Sequence, residues 1–204
     1  MSMATIAEQL TELQAVKSGL KTAITADGTD MSAVPFTDYP GKVQAMTERW
    51  RSLVDGTITE MDFTGYTEIR AGICSDCVSL IRITISDTCI RIRARAFWGC
   101  INLGDTVVPD SVLRIDSVAF SACRAMKKLV IGSGCSKIEV QALKIGSSSN
   151  PATIIMRPTT PPQIEPTTIG QYVSRIVVPI GTGDTYKAAS IWSNYASIIE
   201  EGTA

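Results

Sequence analysis

The sequence contains no histidine. Without an imidazole, Ser-His-Asp and Cys-His nucleophilic catalysis, histidine-bearing metal sites and the usual near-neutral proton shuttle are excluded. Aromatic residues are scarce, at 6% of 204 residues, so a core has to be built mainly from aliphatic side chains and cysteine. No apolar run approaches the roughly 18 residues needed to cross a bilayer, so no membrane insertion is expected. Charge of one sign is also missing in excess. The 19 Lys and Arg face 20 Asp and Glu, for a net charge of −1, which argues against a general nucleic-acid or anionic-membrane binder. Residues 1–14 hold Glu8 and Glu12 and no basic stretch, so no secretion signal is expected. The protein is expected to be made in a cytoplasm and to stay there, or to leave by lysis or as part of a particle.

What is present is a period. Cys77, Cys100 and Cys123 are spaced by 23 residues, and so are Ile69, Ile92, Ile115 and Ile138. Ala96, Ala119 and Ala142 keep the same step, as do Phe97, Phe120 and Leu143, and Leu80, Leu103 and Met126. Ile85, Val108, Ile131 and Ile154 form a further column. A fixed period of this size marks a solenoid, in which a unit too small to bury its own apolar face stacks on its neighbours. Four passes, 66–85, 89–108, 112–131 and 135–154, are expected to put like side chains over one another. Leu80-x-x-Ile83-x-Ile85 and its equivalents read as short parallel strands about 4.8 Å apart, in a rod of four to five coils.

Ahead of the repeat, Met3, Ile6, Leu10, Leu13, Lys17, Leu20 and Ile24 fall at alternating steps of 3 and 4. That spacing predicts a heptad seam on a helix ending near Asp27-Gly28. Three heptads are marginal alone. The seam either packs on a second helix, expected over 39–53, or joins copies of the chain into a bundle, most naturally a trimer. Ile6, Leu10, Leu13, Lys17, Leu20 and Ile24 are the candidate oligomerisation residues.

Two stretches resemble known families. The run IAEQLTELQAVKSGLKTAI followed by PFTDYPGKV (residues 4–46) resembles the N-terminal segment of many bacteriophage tail-fibre and related virion proteins. That resemblance implies oligomerisation of a fibre or attachment to a virion. The units ISDTCIRIRARAFWGCINLGDTVV and VPDSVLRIDSVAFSACRAMKKLVI resemble the BspA-like leucine-rich repeat of bacterial surface antigens. Here the phenylalanine, the small residue before it and the cysteine of the "GC" position fall in place. The first unit departs, with Ile73-Cys74 where "AF" is expected, and the last has Ala142-Leu143. The stretch TTPP at 159–162, with IVVPIGTGDTYKAASIWSNYASII, resembles the closing cap of such proteins. Ile176–Val178 would be its strand and Thr182–Ile199 its helix, with Tyr186, Ala189, Trp192 and Ile199 turned inward. The expected fold class is α+β. An N-terminal helical, coiled-coil-like segment (1–56) precedes a short parallel β-solenoid of 23-residue leucine-rich repeats (57–155) and a C-terminal strand-helix cap (156–204).

No motif carries chemistry. Cys74-Ser75-Asp76-Cys77 has C-x-x-C spacing, but no second pair and no histidine completes a metal site. All six cysteines fall in apolar repeat positions and read as small buried thiols. Gly132-Ser133-Gly134 and Gly146 to Ser149 are turns without the lysine context of a phosphate loop. Asp105, Asp110, Asp116 and Glu139 are expected on different faces or at turns, with no paired carboxylates. Arg91, Arg93 and Arg95 with Trp98 form a basic stretch, and Arg91 aligns with Arg114 and Lys137. It reads either as a solvated face or as a surface for an acidic glycan or a neighbouring subunit. No cofactor, metal or catalytic residue is expected. The resemblances imply a non-enzymatic virion structural protein, namely a tail fibre, baseplate appendage or head fibre. Its partners would be other virion proteins and a host-surface glycan or protein. The other reading is a bacterial leucine-rich-repeat adhesin or protein-interaction module.

Overall fold

The computed structural model describes residues 58–203. The two expected N-terminal helices and the seam Ile6, Leu10, Leu13, Lys17, Leu20 and Ile24 lie outside the described residues. From residue 58 the chain winds as a parallel solenoid of about six turns, more than the four to five expected from the period. The main wall is made of β1 (Glu60–Phe63), β3 (Arg82–Ile85), β5 (Thr106–Val108), β7 (Lys128–Ile131), β9 (Ala152–Met156), β10 (Val173–Val178) and β11 (Ile199–Glu201). A second wall holds the two-residue strands β2 (Glu68–Ile69), β4 (Arg91–Ile92), β6 (Arg114–Ile115) and β8 (Lys137–Ile138). These pair in order, Ile69 to Ile92 to Ile115 to Ile138. The third wall is a stack of turns that contains the alanine, phenylalanine and cysteine columns.

Those columns fill the interior. Ile92, Ala96, Phe97, Cys100 and Leu103 are fully buried, and so are their counterparts Ile115, Ala119, Phe120, Cys123 and Met126 in the next coil. Phe97 and Phe120 stack with ring centroids 5.3 Å apart, while Phe63 meets Phe97 edge-on at 5.8 Å. Phe63 belongs to a coil that the period missed. Glu60-Met61-Asp62-Phe63 alternates exposed and buried, as a strand with one wet face must. It pairs with β3 at a step of 22 rather than 23, Phe63 opposite Ile85.

Three further departures are structural. First, the column Ile85, Val108, Ile131 continues to Met156 and not to Ile154, because β7 pairs with β9 at a step of 25. The two extra residues are taken up beside a tight reversal in which Ser147 bridges Asn150 antiparallel. A shift of two leaves every side chain on its original face, so Ile154 stays buried, now opposite Leu129. Second, the main wall is not one sheet: β1–β3 form one and β5–β7–β9–β10–β11 another. At the break, buried Thr106 satisfies its hydroxyl on the carbonyl of Gly104 at 3.1 Å, a local bond that competes with the ladder. Third, the expected helix over 182–199 is broken. α1 spans only Gly183–Ala188, Ile191 takes φ 67°, and a 3-10 turn covers Trp192–Ile198 before β11. The break brings the Trp192 indole N–H within 2.8 Å of Pro162 O, and the Tyr186 hydroxyl donates to Pro158 O at 2.8 Å. Pro158, just before the T-T-P-P segment, and Pro162, its last residue, thus supply the carbonyls that satisfy the cap's two buried aromatics. Ile199 is buried as expected, but on a strand, opposite Ile176.

Candidate binding surface

The expected basic stripe is a ladder of ion pairs. β4, β6 and β8 do align Arg91, Arg114 and Lys137. The carboxylates that balance Arg91 and Arg114 lie two residues further along the next coil, where side chains two apart on a strand share a face, whereas Lys137 has no ion pair among the described residues. Arg91 donates through Nε and Nη2 to Asp116 at 2.9–3.1 Å. Arg114 holds Glu139 through Nη2 and also has its Nε 3.0 Å from Asp116 Oδ1. One coil earlier the signs are exchanged, and Arg93 binds Glu68 at 2.6–2.7 Å. Asp116 and Glu139 therefore share one face, contrary to the expectation that they diverge. Burial opposes ionisation of Glu139, but hydrogen bonds from Ser117 and Arg114 outweigh it and hold the carboxyl below its ordinary value. The Asp116 carboxylate likewise keeps the Arg91 guanidinium raised.

Arg95 and Trp98 lie elsewhere, on the wall of turns, with the guanidinium 5.9 Å from the indole centroid. The structure therefore separates the four residues of the basic stretch into two pairs. Arg95 occupies the left-handed region at φ 57°, a position held by Val118 at φ 65° and Gln141 at φ 58° in the following coils. On this wall Gly99 N–H donates to Ser121 O at 2.9 Å and Ala122 N–H to Lys144 O at 2.9 Å. Trp98, Ser121 and Lys144 thus fall one coil apart in a single column. Beside it runs the column Val78, Ile101, Arg124. Val78 is 51% exposed, Ile101 37% and Trp98 37%, an apolar band on the wall of turns. The band ends at a cleft of about 500 Å³ lined by Ser121, Arg124, Lys144, Thr167, Gln171 and Tyr172, among others. Sequence reasoning found Trp98 but missed this cleft, because Tyr172 and Gln171 come from the irregular segment after the last regular coil.

The cysteines form no site. All six are buried, and no disulfide joins them. Cys100 Sγ donates to Cys74 O at 2.9 Å, and Cys123 Sγ to Phe97 O at 3.3 Å. The thiol of the "GC" position therefore satisfies a carbonyl of the preceding coil as well as filling space. Burial pushes the thiols of Cys100 and Cys135 up to about 12 and that of Cys123 well above its usual value. The Cys77 thiol is shifted down, chiefly by a hydrogen bond involving Cys74. Among the described residues no three His, Cys, Asp or Glu side chains group to hold a metal, and no helix is long and apolar enough to cross a membrane.

Six copies of the BspA type leucine-rich repeat match residues 60–160. The repeat region belongs to the BspA-type leucine-rich repeat family. A crystal structure of a leucine rich cell surface protein from Faecalibacterium prausnitzii is similar at 16% identity, over 76% of this chain and 62% of that one, with a TM-score of 0.26. No curated protein matches the chain. The BspA-type region begins at residue 60 and thus includes β1, the strand that falls outside the strict period.

Proposed function

We propose that this protein is a non-enzymatic interaction module whose BspA-type repeats present the wall of turns to a partner at a cell surface. The observation that carries this reading is the exposed band Val78, Ile101 and Trp98 running into the cleft beside Arg124 and Lys144. Contiguous exposed apolar area next to charge is the mark of an interaction site. On the second wall Arg91, Arg93 and Arg114 already bind carboxylates of this chain and offer a partner less. A photo-crosslinking amino acid placed at Trp98, compared with one at Thr84 on the main wall, tests this on intact bacterial cells. Adducts from position 98 and not from 84 are expected. Adducts from neither position, or equally from both, would overturn the choice of face.

A second, finer reading rests on the likeness of residues 4–46 to phage tail-fibre segments. In it the module is a virion appendage held as a homotrimer by the seam Ile6 to Ile24, with other virion proteins as neighbours. Light scattering behind size exclusion tests it directly. The full chain should run as a trimer, and a chain lacking residues 1–27 as a monomer. A monomeric full chain would rule the reading out.

A further inference from the structure

We propose that the cleft at the end of the wall of turns is a binding site for an acidic saccharide, carboxylated or sulfated. The inference rests on the proposed choice of face and names its ligand. The cleft exists because the period breaks there. After Gly146 the chain reverses at Ser147–Asn150, with the Asn150 side-chain amide tied to Arg124 O at 3.0 Å. The next coil returns late, with Leu143 bridging Ile169. Gly170 packs so closely on Lys144 that an added Cβ would lie 2.8 Å from its Cα. The column Trp98, Ser121, Lys144 therefore ends in a recess with Tyr172, 40% exposed, at its lining.

The chemistry of the lining selects the ligand. Arg124 and Lys144 have no ion-pair partner among the described residues, whereas Arg82, Arg91, Arg93, Arg114, Arg157 and Arg175 all bind carboxylates. Among the described residues no acid lines the cleft. Two unbalanced cations facing one recess favour an anion, and a guanidinium pairs well with carboxylate or sulfate oxygens. Ser121, Thr167 and Gln171 add hydroxyl and amide groups of the kind that pair with sugar hydroxyls. The tyrosine ring gives an apolar plate with a polar tip, suited to the C–H face of a pyranose. A cleft of about 500 Å³ is within the usual range for a small-molecule site.

The test uses the full chain and calorimetry with four probes: hexagalacturonate, a heparin-derived hexasaccharide, neutral maltohexaose and a hexaglutamate peptide. At least one acidic saccharide should bind and weaken as salt is raised, and maltohexaose and hexaglutamate should not bind. Comparing hexagalacturonate with the heparin fragment separates carboxylate from sulfate recognition. The double variant Arg124→Glu, Lys144→Glu and the single variant Tyr172→Ala should each weaken binding by at least about tenfold, which is about 1.4 kcal/mol. The variant Lys127→Glu, Lys128→Glu, which changes exposed charge away from the cleft lining, should leave it unchanged. Melting curves confirm that each variant is folded. Equal binding of maltohexaose or hexaglutamate, or binding indifferent to the double variant, would overturn the site. Crosslinking to cells at position 98 with no saccharide bound would overturn this inference and leave the proposed function standing.

Discussion

The rings of Phe97 and Phe120 lie almost parallel, 20° apart with centroids at 5.3 Å, although 23 residues of chain separate them. Both are fully buried, and Leu143 continues their column one coil on. Phe120→Ala should therefore open a cavity inside the stack and cost about 3–5 kcal/mol. Phe120→Leu places in the column the residue that the next coil already uses there, and should cost less than about 1.5 kcal/mol. Chemical denaturation with matched slopes checks both. A loss below about 1 kcal/mol for the alanine variant would mean that the ring does not carry the stack.

The columns were legible because stacking repeats a side chain's surroundings as well as its place, so alanine, phenylalanine and cysteine return at one fixed step. The charge ladder was not legible for a related reason. Arg91 to Asp116 and Arg114 to Glu139 are separated by 25 residues, one coil plus two positions. A step of 23 returns only the like-charged column Arg91, Arg114, Lys137. Register across β7 and β9 was hidden likewise, because a two-residue insertion keeps the inside-outside pattern and leaves no hydrophobic mismatch to notice. The cleft escaped because Tyr172 and Gln171 lie on a segment with no period. The break at Ile191 escaped because the helical spacing of Tyr186, Ala189 and Trp192 is equally compatible with a continuous helix, and only the Pro162 carbonyl decides against it.

The ladder makes stability depend on acid. The folded-state pKa of Glu139 is depressed, so its contribution is fully present above the unfolded value, here 4.5. That contribution is lost as pH falls through the lower, folded value. Glu139→Gln should reduce stability near pH 7 by about 1–2 kcal/mol, since Ser117 and Arg114 lose a charged acceptor. The variant should also show a flatter acid limb than the parent below the usual carboxylate range. Melting temperatures across pH 3–7 measure this. Parallel curves for parent and variant would show that the pair contributes nothing to the pH dependence.

Thiol chemistry gives an independent reading of the core. A thiol reacts as its thiolate, and burial raises Cys89, Cys100, Cys123 and Cys135. In native protein at pH 8 these four should resist a disulfide reagent for hours, while all six titrate in denaturant. Cys77, whose thiol is shifted down, should react ahead of these four. Cys123→Ala should cost about 1–2 kcal/mol, through a small cavity and the loss of one of the two donors to the Phe97 carbonyl, the Cys100 N–H remaining. Rapid native labelling of Cys100 or Cys123 would contradict a closed stack.

The cap's hold on the last coil comes down to a few hydrogen bonds that can be removed singly. Tyr186 and Trp192 pack edge-on, with centroids 5.0 Å apart, and each donates to a proline-segment carbonyl. Glu201, at the end of β11, accepts the Gly183 N–H at 2.7 Å and so ties the start of α1 to the final strand. Tyr186→Phe keeps the ring and deletes only the donor, which strands the buried Pro158 carbonyl and should cost about 1–3 kcal/mol. Because β11 covers the edge of β10, the variant should also expose that edge before the rest of the solenoid melts. Hydrogen exchange should then show faster labelling in β10 and β11 while β5 and β7 stay protected. Uniform acceleration across all strands would mean that the cap and the repeats unfold as one unit, and that the Pro158 bond is a property of the whole stack.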